Sequence, residues 1–190
     1  MAVYIGIFLL LIATGRTYGR KAYGALVVWS VFLFLFAGTR ERTGCDFTGY
    51  LHRFQGYAYQ TIDDVIGKSE FLFHLLNLAI IDLGLDFMWL NLAASAIIFI
   101  GWIAFARRAE HPVHVLALAF PILIVQLGMS GIRQAMALAF LLLALNAFRD
   151  KKRVMMAVYI LIGSQFHASV VIFMPLVLLL GRTAALGTLR

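Results

Sequence analysis

Long apolar runs separated by short charged or polar breaks dominate the chain. A membrane-spanning helix needs about 20 consecutive apolar residues, within a range of roughly 17–25. Runs of suitable or nearly suitable length cover residues 23–37 (which Gly38 and Thr39 can extend), 87–106, 113–129 and 132–148. A further run at residues 154–180 is too long for one untilted span, and polar residues interrupt it at 163–167. We therefore divide that run into two predicted spans.

Two shorter apolar runs complete the pattern. Residues 1–13 predict a first, uncleaved span, because the charge of Arg16 follows the run, whereas a signal peptide carries its charge before it. Residues 71–81 are too short to span and predict a re-entrant or interfacial half-helix. The fold class expected is an all-α, polytopic transmembrane helical bundle of about seven spans plus this half-helix. It forms a single domain over residues 1–190, and the longest polar stretch, 38–70, is expected to be an extracytoplasmic loop with an interfacial helix.

Composition supports a membrane domain and argues against a soluble one. Hydrophobic residues make up 63% of the chain and charged residues only 13%, against about 25% charged in a typical soluble domain. The net charge of +7 would suggest nucleic-acid binding in a soluble protein, but here the basic residues cluster between apolar runs, so no nucleic-acid partner is expected. The single cysteine, Cys45, excludes an intrachain disulfide and a cysteine-based metal cluster.

The basic clusters predict an orientation through the positive-inside rule. Placing the loop after the first span in the cytoplasm puts 11 of the 16 Lys and Arg residues on that side, together with the C-terminus. Counting residues 71–81 as a full span would move the cluster at 149–153 outside, so we reject that topology. The exceptions left on the extracytoplasmic side are Arg40, Arg42, Arg53, Lys68 and Arg133.

The first group of candidate functional residues begins where the second span ends. It includes Arg40 and Arg42, and if the chain is helical from Asp46 onward, Asp46, Tyr50 and Arg53 share one face. Phe54 and Tyr57 extend this face with aromatic rings. Arginine suits phosphate, and aromatic rings stack on sugars or apolar tails, so the surface suits a charged lipid-linked ligand. The alternatives are an N-cap role for Asp46, arginines that end a span at the headgroups, and an interfacial aromatic belt.

The second group is Ser130-Gly-Ile-Arg133-Gln134, at the start of a predicted span. A cation in the first turn of a helix opposes the macrodipole, and Arg133 also departs from the positive-inside trend. An anion bound at this helix terminus would account for both features. The alternative is an arginine that extends its side chain to the outer headgroups.

The third group is Gln165-Phe-His167-Ala-Ser169, at the break in the last apolar run. His167 could act as a general base or a hydrogen-bond donor, or it could be an ordinary loop residue. The predicted topology brings all three groups to one membrane face, which favours a functional interpretation. Glu70, at the start of the half-helix, could cap it or hydrogen-bond a sugar. No metal site or other cofactor is expected.

The order of these motifs resembles that of the EpsG family, polytopic bacterial proteins of exopolysaccharide biosynthesis related in role to Wzy-type polymerases. The motifs are Gly-Thr-Arg with Gly44-Cys45-Asp46 and Tyr50, then Ser-Glu-Phe, then Gly-Ile-Arg-Gln-Ala-Met-Ala, then Phe-His-Ala-Ser. The resemblance runs over residues 39–169, and Gly-Ile-Arg-Gln and Phe-His-x-Ser are its most specific parts. Family members usually run well beyond this length, so the chain is expected to correspond to their N-terminal half.

The resemblance implies a polysaccharide polymerase in the bacterial cytoplasmic (inner) membrane, with its site on the extracytoplasmic side. Its substrate would be an oligosaccharide repeat unit on undecaprenyl pyrophosphate, and its surroundings membrane lipids and other polysaccharide-assembly membrane proteins. The catalytic candidates are Arg133, Arg40, Asp46 and His167. The candidates for substrate binding are Gln134, Tyr50, Arg42, Arg53, Glu70 and Ser130. A transporter or flippase for lipid-linked sugars and a non-catalytic membrane subunit remain the alternatives.

Overall fold

The structure, a computed structural model, describes residues 2–16 and 19–179, and that part is mainly helical, with no strand. Four helices are long and apolar enough to cross a membrane, and each corresponds to a predicted span. They are α2 (Gly19–Gly38), α6 (Phe87–Ala106), α7 (Pro112–Ser130) and α8 (Ile132–Arg149). The prediction of an all-α integral membrane protein is therefore confirmed.

The shorter helices leave the predicted count of seven spans unconfirmed. They are α1 (Ala2–Thr14), α5 (Phe71–Asp82), α9 (Arg153–Ser164) and α10 (Ala168–Leu179). At 1.5 Å per residue, the 13 residues of α1 reach about 20 Å, less than the roughly 30 Å of a hydrocarbon core. The predicted break in the last apolar run lies between α9 and α10. The predicted cytoplasmic residues Arg182 and Arg190 lie outside the described part of the chain.

The long helices form one bundle in which α6 packs between α2 and α8, and α9 packs on α8. Small residues permit the close approach of α6 and α8, because a Cβ atom added at Gly101 would lie 2.7 Å from Ala139 Cα. Such small-residue contacts are typical of helix pairs in membranes. Large apolar side chains such as Val28, Ile100 and Leu118 stay exposed on the outside of the bundle, which suits contact with lipid.

One spanning helix is irregular. Residues Phe120–Leu127 of α7 form π-helical turns, with Pro121 in the first of them. Proline lacks the backbone N–H and clashes with the preceding turn, so it disturbs regular α-helical hydrogen bonding. Irregular turns of this kind often occur near functional sites.

Helix direction brings the three predicted groups to one end of the bundle. This end holds the last turn of α2, the junction between α7 and α8, and the segment that contains α3 (Phe47–Gly56) and the short helix α4 (Ile62–Val65). The predicted helix from Asp46 onward is thus confirmed as α3. The basic clusters at 107–108 and 149–153 lie at the opposite end, where Arg108 and Asp150 form a two-pronged ion pair of 2.6 and 2.9 Å.

Candidate functional site

Glu70 lies at the centre of a polar cluster at the first end of the bundle. Its Oε2 atom accepts a hydrogen bond from Arg133 Nη1 at 2.5 Å, and its Oε1 atom lies 2.7 Å from His167 Nδ1. The backbone N–H of Ala168 donates to the same Oε1 atom at 3.2 Å. One carboxylate therefore joins the starts of three helices, α5, α8 and α10.

The backbone around Glu70 is held in an unusual conformation. Glu70 immediately precedes α5 with φ 61° and ψ 39°, a left-handed conformation that costs about 1–2 kcal/mol for a residue with a side chain. The start of α5 is fixed against the loop between α9 and α10, because the Phe73 N–H donates to the Gln165 carbonyl oxygen at 3.2 Å. Strain of this kind persists where the surrounding structure enforces it, and it is frequent at functional sites.

The Glu70 carboxylate is ionised at neutral pH. Burial raises its pKa, but the Ala168 N–H, the Arg133 charge and the hydrogen bond to His167 outweigh burial, so the pKa lies below its ordinary value. The side chain is only 11% exposed. A shielded negative charge thus lies between a cation and an imidazole.

Arg133 lies in the first turn of α8 between two aromatic rings. Its guanidinium carbon is 5.9 Å from the centre of the Tyr50 ring and 5.7 Å from that of Phe73, distances typical of cation–π contacts. The sequence predicted that an anion offsets this cation at the helix terminus. In the structure the Glu70 carboxylate is that anion, so the position of Arg133 is explained without a ligand.

Arg133 also lines a polar cavity of about 300 Å³, together with Cys45, Asp46, Gly49, Tyr50 and Arg53. The predicted common face of Asp46, Tyr50 and Arg53 is therefore confirmed. Asp46 occupies the N-cap position of α3 but makes no side-chain cap hydrogen bond, so the capping alternative for its carboxylate is wrong. Two arginines around a small cavity suit the oxygens of phosphate groups.

A second cavity, of about 330 Å³, is lined in part by His167 of the Glu70 cluster. Its polar lining comes from Gln134, His167 and Ser169, and its apolar lining includes Leu138 and Phe173. Gln134 therefore lies in a different cavity from Arg133, although the two residues are neighbours in sequence. This is the consequence of consecutive side chains pointing in different directions on a helix.

The structure places Arg40 and Arg42 outside both cavities. Arg40 is buried and donates to the Ala37 carbonyl oxygen at the end of α2, so it stabilises that helix terminus. Burial lowers the pKa of Arg40 to about 10, which leaves the side chain charged at neutral pH. Arg42 is exposed, and its backbone is left-handed with φ 46°. Neither residue lines the Arg133 cavity, so neither is placed to share a ligand with Arg133 in this structure.

Ser130 connects the first two predicted groups. Its Oγ atom accepts a hydrogen bond from the Cys45 N–H at 3.1 Å. Gly44, which precedes Cys45, has φ 106° and lies so close to Met129 that an added Cβ atom would overlap the Met129 carbonyl oxygen. These contacts hold the loop before α3 against the end of α7 and thereby form one wall of the polar cavity.

The predicted aromatic face of α3 is largely internal. Phe54 and Tyr57 are 4% and 2% exposed. Phe54 packs against Phe87 at 5.6 Å between ring centres, and the Tyr57 hydroxyl lies 2.5 Å from His74 Nδ1. The expectation that these two rings offer a surface to a ligand is therefore wrong, because both rings are packed inside the protein. Of the three rings, only that of Tyr50 lines the polar cavity.

An apolar groove of about 730 Å³ adjoins the polar cavity. Its walls include Ile5 and Phe8 of α1 and Phe120 and Pro121 in the irregular turns of α7. Cys45 lines both the groove and the polar cavity. An apolar space thus leads directly to a positively charged one.

The role of Glu70 as the link between Arg133 and His167 was missed by reasoning from the sequence. Glu70 lies 63 residues from Arg133 and 97 from His167, and nothing in the local pattern indicates such contacts. One signal was available, since a carboxylate predicted at the same membrane face as an unexplained arginine is a natural partner for it. The structure thus replaces separate roles for these residues with one cluster.

Comparison with known proteins identifies a family. A model of the EpsG family matches residues 25–186, a range that contains the polar cluster, both polar cavities and all residues proposed from the sequence. No curated protein and no solved structure matches the chain. The resemblance inferred from the motifs is therefore confirmed.

Proposed function

The chain belongs to the EpsG family, and we propose that it is a membrane-embedded polysaccharide polymerase of the Wzy type. It joins oligosaccharide repeat units carried on undecaprenyl pyrophosphate. The reaction takes place at the extracytoplasmic face of the bacterial cytoplasmic membrane. The basic clusters at the opposite end of the bundle favour this orientation, because loops rich in Lys and Arg remain in the cytoplasm.

The observation that carries the proposal is a cationic cavity adjoining an apolar groove. The leaving group of the reaction is a polyprenyl pyrophosphate, which has a doubly charged head and a long hydrocarbon tail. Arg133 and Arg53 line the cavity and suit the pyrophosphate, since arginine binds phosphate oxygens through paired N–H donors. The groove between α1 and α7 accommodates part of the tail, and Cys45 marks the junction of the two spaces.

The chemistry needs little beyond charge stabilisation and one base. As the bond from sugar to pyrophosphate breaks, negative charge grows on the leaving oxygen, and fixed cations stabilise it. The attacking sugar hydroxyl loses its proton to a general base. Asp46 and His167 both lie at this end of the bundle and are the two candidates for that base.

The experiment that tests the proposal compares two arginines that each form an ion pair with a carboxylate. Arg133→Ala removes the cation of the cavity, and Arg108→Ala removes a cation of similar exposure (27% against 31%) at the opposite end of the bundle. Both variants are expressed in a strain that lacks its own copy of the gene. Polymer is measured together with the amount of protein in the membrane and the amount of lipid-linked single repeat.

We expect Arg133→Ala to abolish polymer and to accumulate lipid-linked single repeats on the extracytoplasmic side, while Arg108→Ala supports polymer near the wild-type amount. Full-length polymer from Arg133→Ala would contradict the proposal. Accumulation of single repeats on the cytoplasmic side would instead indicate a flippase. Normal polymer in the deletion strain itself would indicate a dispensable, non-catalytic subunit.

A further inference from the structure

The two cavities each have a lining residue that binds the same carboxylate. They share no lining residue, but Arg133 lines one and His167 lines the other. Glu70 binds Arg133 through Oε2 and His167 through Oε1. A group bound in the first cavity and a group bound in the second would therefore lie on either side of Glu70, close to one another.

The contact with Glu70 determines which nitrogen of His167 is free to act. An ionised carboxylate can only accept hydrogen bonds, so Nδ1 of His167 must donate to Oε1. In the neutral imidazole the lone pair is then on Nε2, which forms no hydrogen bond with the described residues. The His167 side chain is 23% exposed. His167 thus has an oriented basic nitrogen, and the residue lines the second cavity.

Glu70 itself is not available to a substrate. Its two oxygens are engaged by Arg133, His167 and the Ala168 N–H. The expectation that Glu70 hydrogen-bonds a sugar is thus replaced by a role in which it orients other groups. A carboxylate that fixes the tautomer of a histidine and stabilises its protonated form is a recurring arrangement in catalysis by general bases.

Resting on the polymerase function proposed above, we propose that the two cavities are the donor and acceptor subsites, with His167 as the general base and Glu70 as its positioning residue. The Arg133 cavity takes the pyrophosphate of the donor, which is the lipid-linked growing chain. The cavity lined by Gln134, His167 and Ser169 takes the sugar of the lipid-linked repeat unit that supplies the attacking hydroxyl.

The step is a simple substitution at the anomeric carbon. The hydroxyl oxygen of the acceptor sugar forms a bond to the anomeric carbon of the donor, and its proton passes to His167 Nε2. The bond from that carbon to the pyrophosphate oxygen breaks, and its electron pair leaves with the polyprenyl pyrophosphate beside Arg133. His167 then releases the proton to water, and Glu70 stays ionised throughout.

The position of Asp46 disfavours it as the base. Asp46 lines the Arg133 cavity, so it lies on the same side as the leaving pyrophosphate. The attacking hydroxyl must approach from the side of the anomeric carbon away from the leaving group. His167 lies in the other cavity and meets that requirement, because the Glu70 carboxylate separates it from Arg133.

The variant His167→Asn tests the base directly. An asparagine amide can still donate to Glu70 Oε1 in place of Nδ1 but has no basic nitrogen at the position of Nε2. The matched control is His74→Asn, which changes a histidine at the same end of the bundle whose Nδ1 is bonded to Tyr57 and which lines neither cavity. Membrane vesicles from the deletion strain supply that strain's own lipid-linked repeats as the probe.

We expect His167→Asn to lower the initial rate of polymer formation by about 100-fold or more, the range typical of a lost general base. Lipid-linked repeats should still co-purify with the variant, and His74→Asn should stay within threefold of wild type. In His167→Ala, added imidazole should raise the rate at least tenfold, because the missing histidine side chain leaves space in the cavity. Imidazole should restore nothing in Arg133→Ala.

Glu70→Gln should lower the rate by at least tenfold, because it removes the carboxylate that positions His167. It should retain bound lipid-linked repeats, because Arg133 is then freed from its carboxylate partner. A rate for His167→Asn within threefold of wild type would overturn the inference, as would loss of bound repeats together with the rate. If Arg133→Ala is inactive while His167→Asn is active, only the subsite assignment fails. If both variants make polymer normally, the proposed function fails with it.

Discussion

Two arginine–carboxylate pairs occupy opposite ends of the bundle, and they differ in what surrounds them. Arg108 and Asp150 bind each other through two parallel contacts of 2.6 and 2.9 Å. Both side chains are about one-third exposed, at 31% and 32%. At the other end, Arg133 and Glu70 make one contact of 2.5 Å, and the carboxylate is 11% exposed.

The difference indicates which pair has a purely structural role. The Arg108 pair obeys general rules, since basic residues at a helix C-terminus complement the macrodipole, and this end is the one proposed to face the cytoplasm. The Arg133 pair departs from those rules, with a cation at a helix N-terminus and a carboxylate whose backbone is left-handed. Departures of this kind, compensated by a residue distant in sequence, are expected at functional sites.

The largest predicted effect concerns the stability of the two pairs. Glu70→Ala should lower the free energy of unfolding by about 2–3 kcal/mol, because removing one partner of a shielded ion pair leaves the other charge unpaired. Asp150→Ala should have a much smaller effect, since solvent screens exposed pairs. Thermal unfolding of both purified variants in detergent would check this. Equal shifts in the melting temperature would mean that the two ends are equivalent.

A second, smaller effect should separate the loop that forms the polar cavity from an ordinary turn. Alanine at Gly44 or at Gly67 would adopt a left-handed backbone, with φ 106° and 80°, at a cost of about 1–2 kcal/mol. Only Gly44→Ala also overlaps a backbone carbonyl, because the space around Gly67 is open. We expect Gly44→Ala to displace Cys45 and Asp46 and to reduce polymer, whereas Gly67→Ala retains it. Equal polymer from both would show that this loop does not shape the site.

Much of the fold was predictable because its signals are local. Apolar run length and basic clusters are properties of consecutive residues. From them the four long helices and the break between α9 and α10 were predicted correctly. The helical face of Asp46, Tyr50 and Arg53 followed from spacing alone. The number of spans was less accessible, since runs as short as that of α1 do not reveal how far they cross.

The centre of the site was not predictable in the same way. The contacts of Glu70 with Arg133 and His167 depend on how three separate helices begin, and sequence spacing does not encode that geometry. The burial of Phe54 and Tyr57 likewise depends on the packing of α3 against α5 and α6. Sequence placed the right residue types at one end of the bundle, and tertiary structure decided which of them touch.

The smallest predicted effect is the response of the two carboxylates to acid. The pKa of Glu70 lies below its ordinary value of 4.5 in the folded protein because the Ala168 N–H, Arg133 and His167 together outweigh burial. Its contribution to stability is therefore complete above about pH 4.5 and is lost as the pH falls through the lower, folded-state pKa. The hydrogen bond from Arg108 likewise lowers the pKa of Asp150, but both side chains of that pair are exposed to solvent.

Melting temperatures measured in detergent between pH 6 and pH 3 distinguish the two ends. Wild type should lose stability in this range, Glu70→Gln should flatten the curve clearly, and Asp150→Asn should flatten it less, because the native environment discriminates less strongly between the two charge states of an exposed side chain. Parallel curves for Glu70→Gln and wild type would mean that the Glu70 carboxylate is no better stabilised in the folded protein than in the unfolded chain. The contacts of Glu70 with Arg133, His167 and the Ala168 N–H would then do no more than offset the cost of burial.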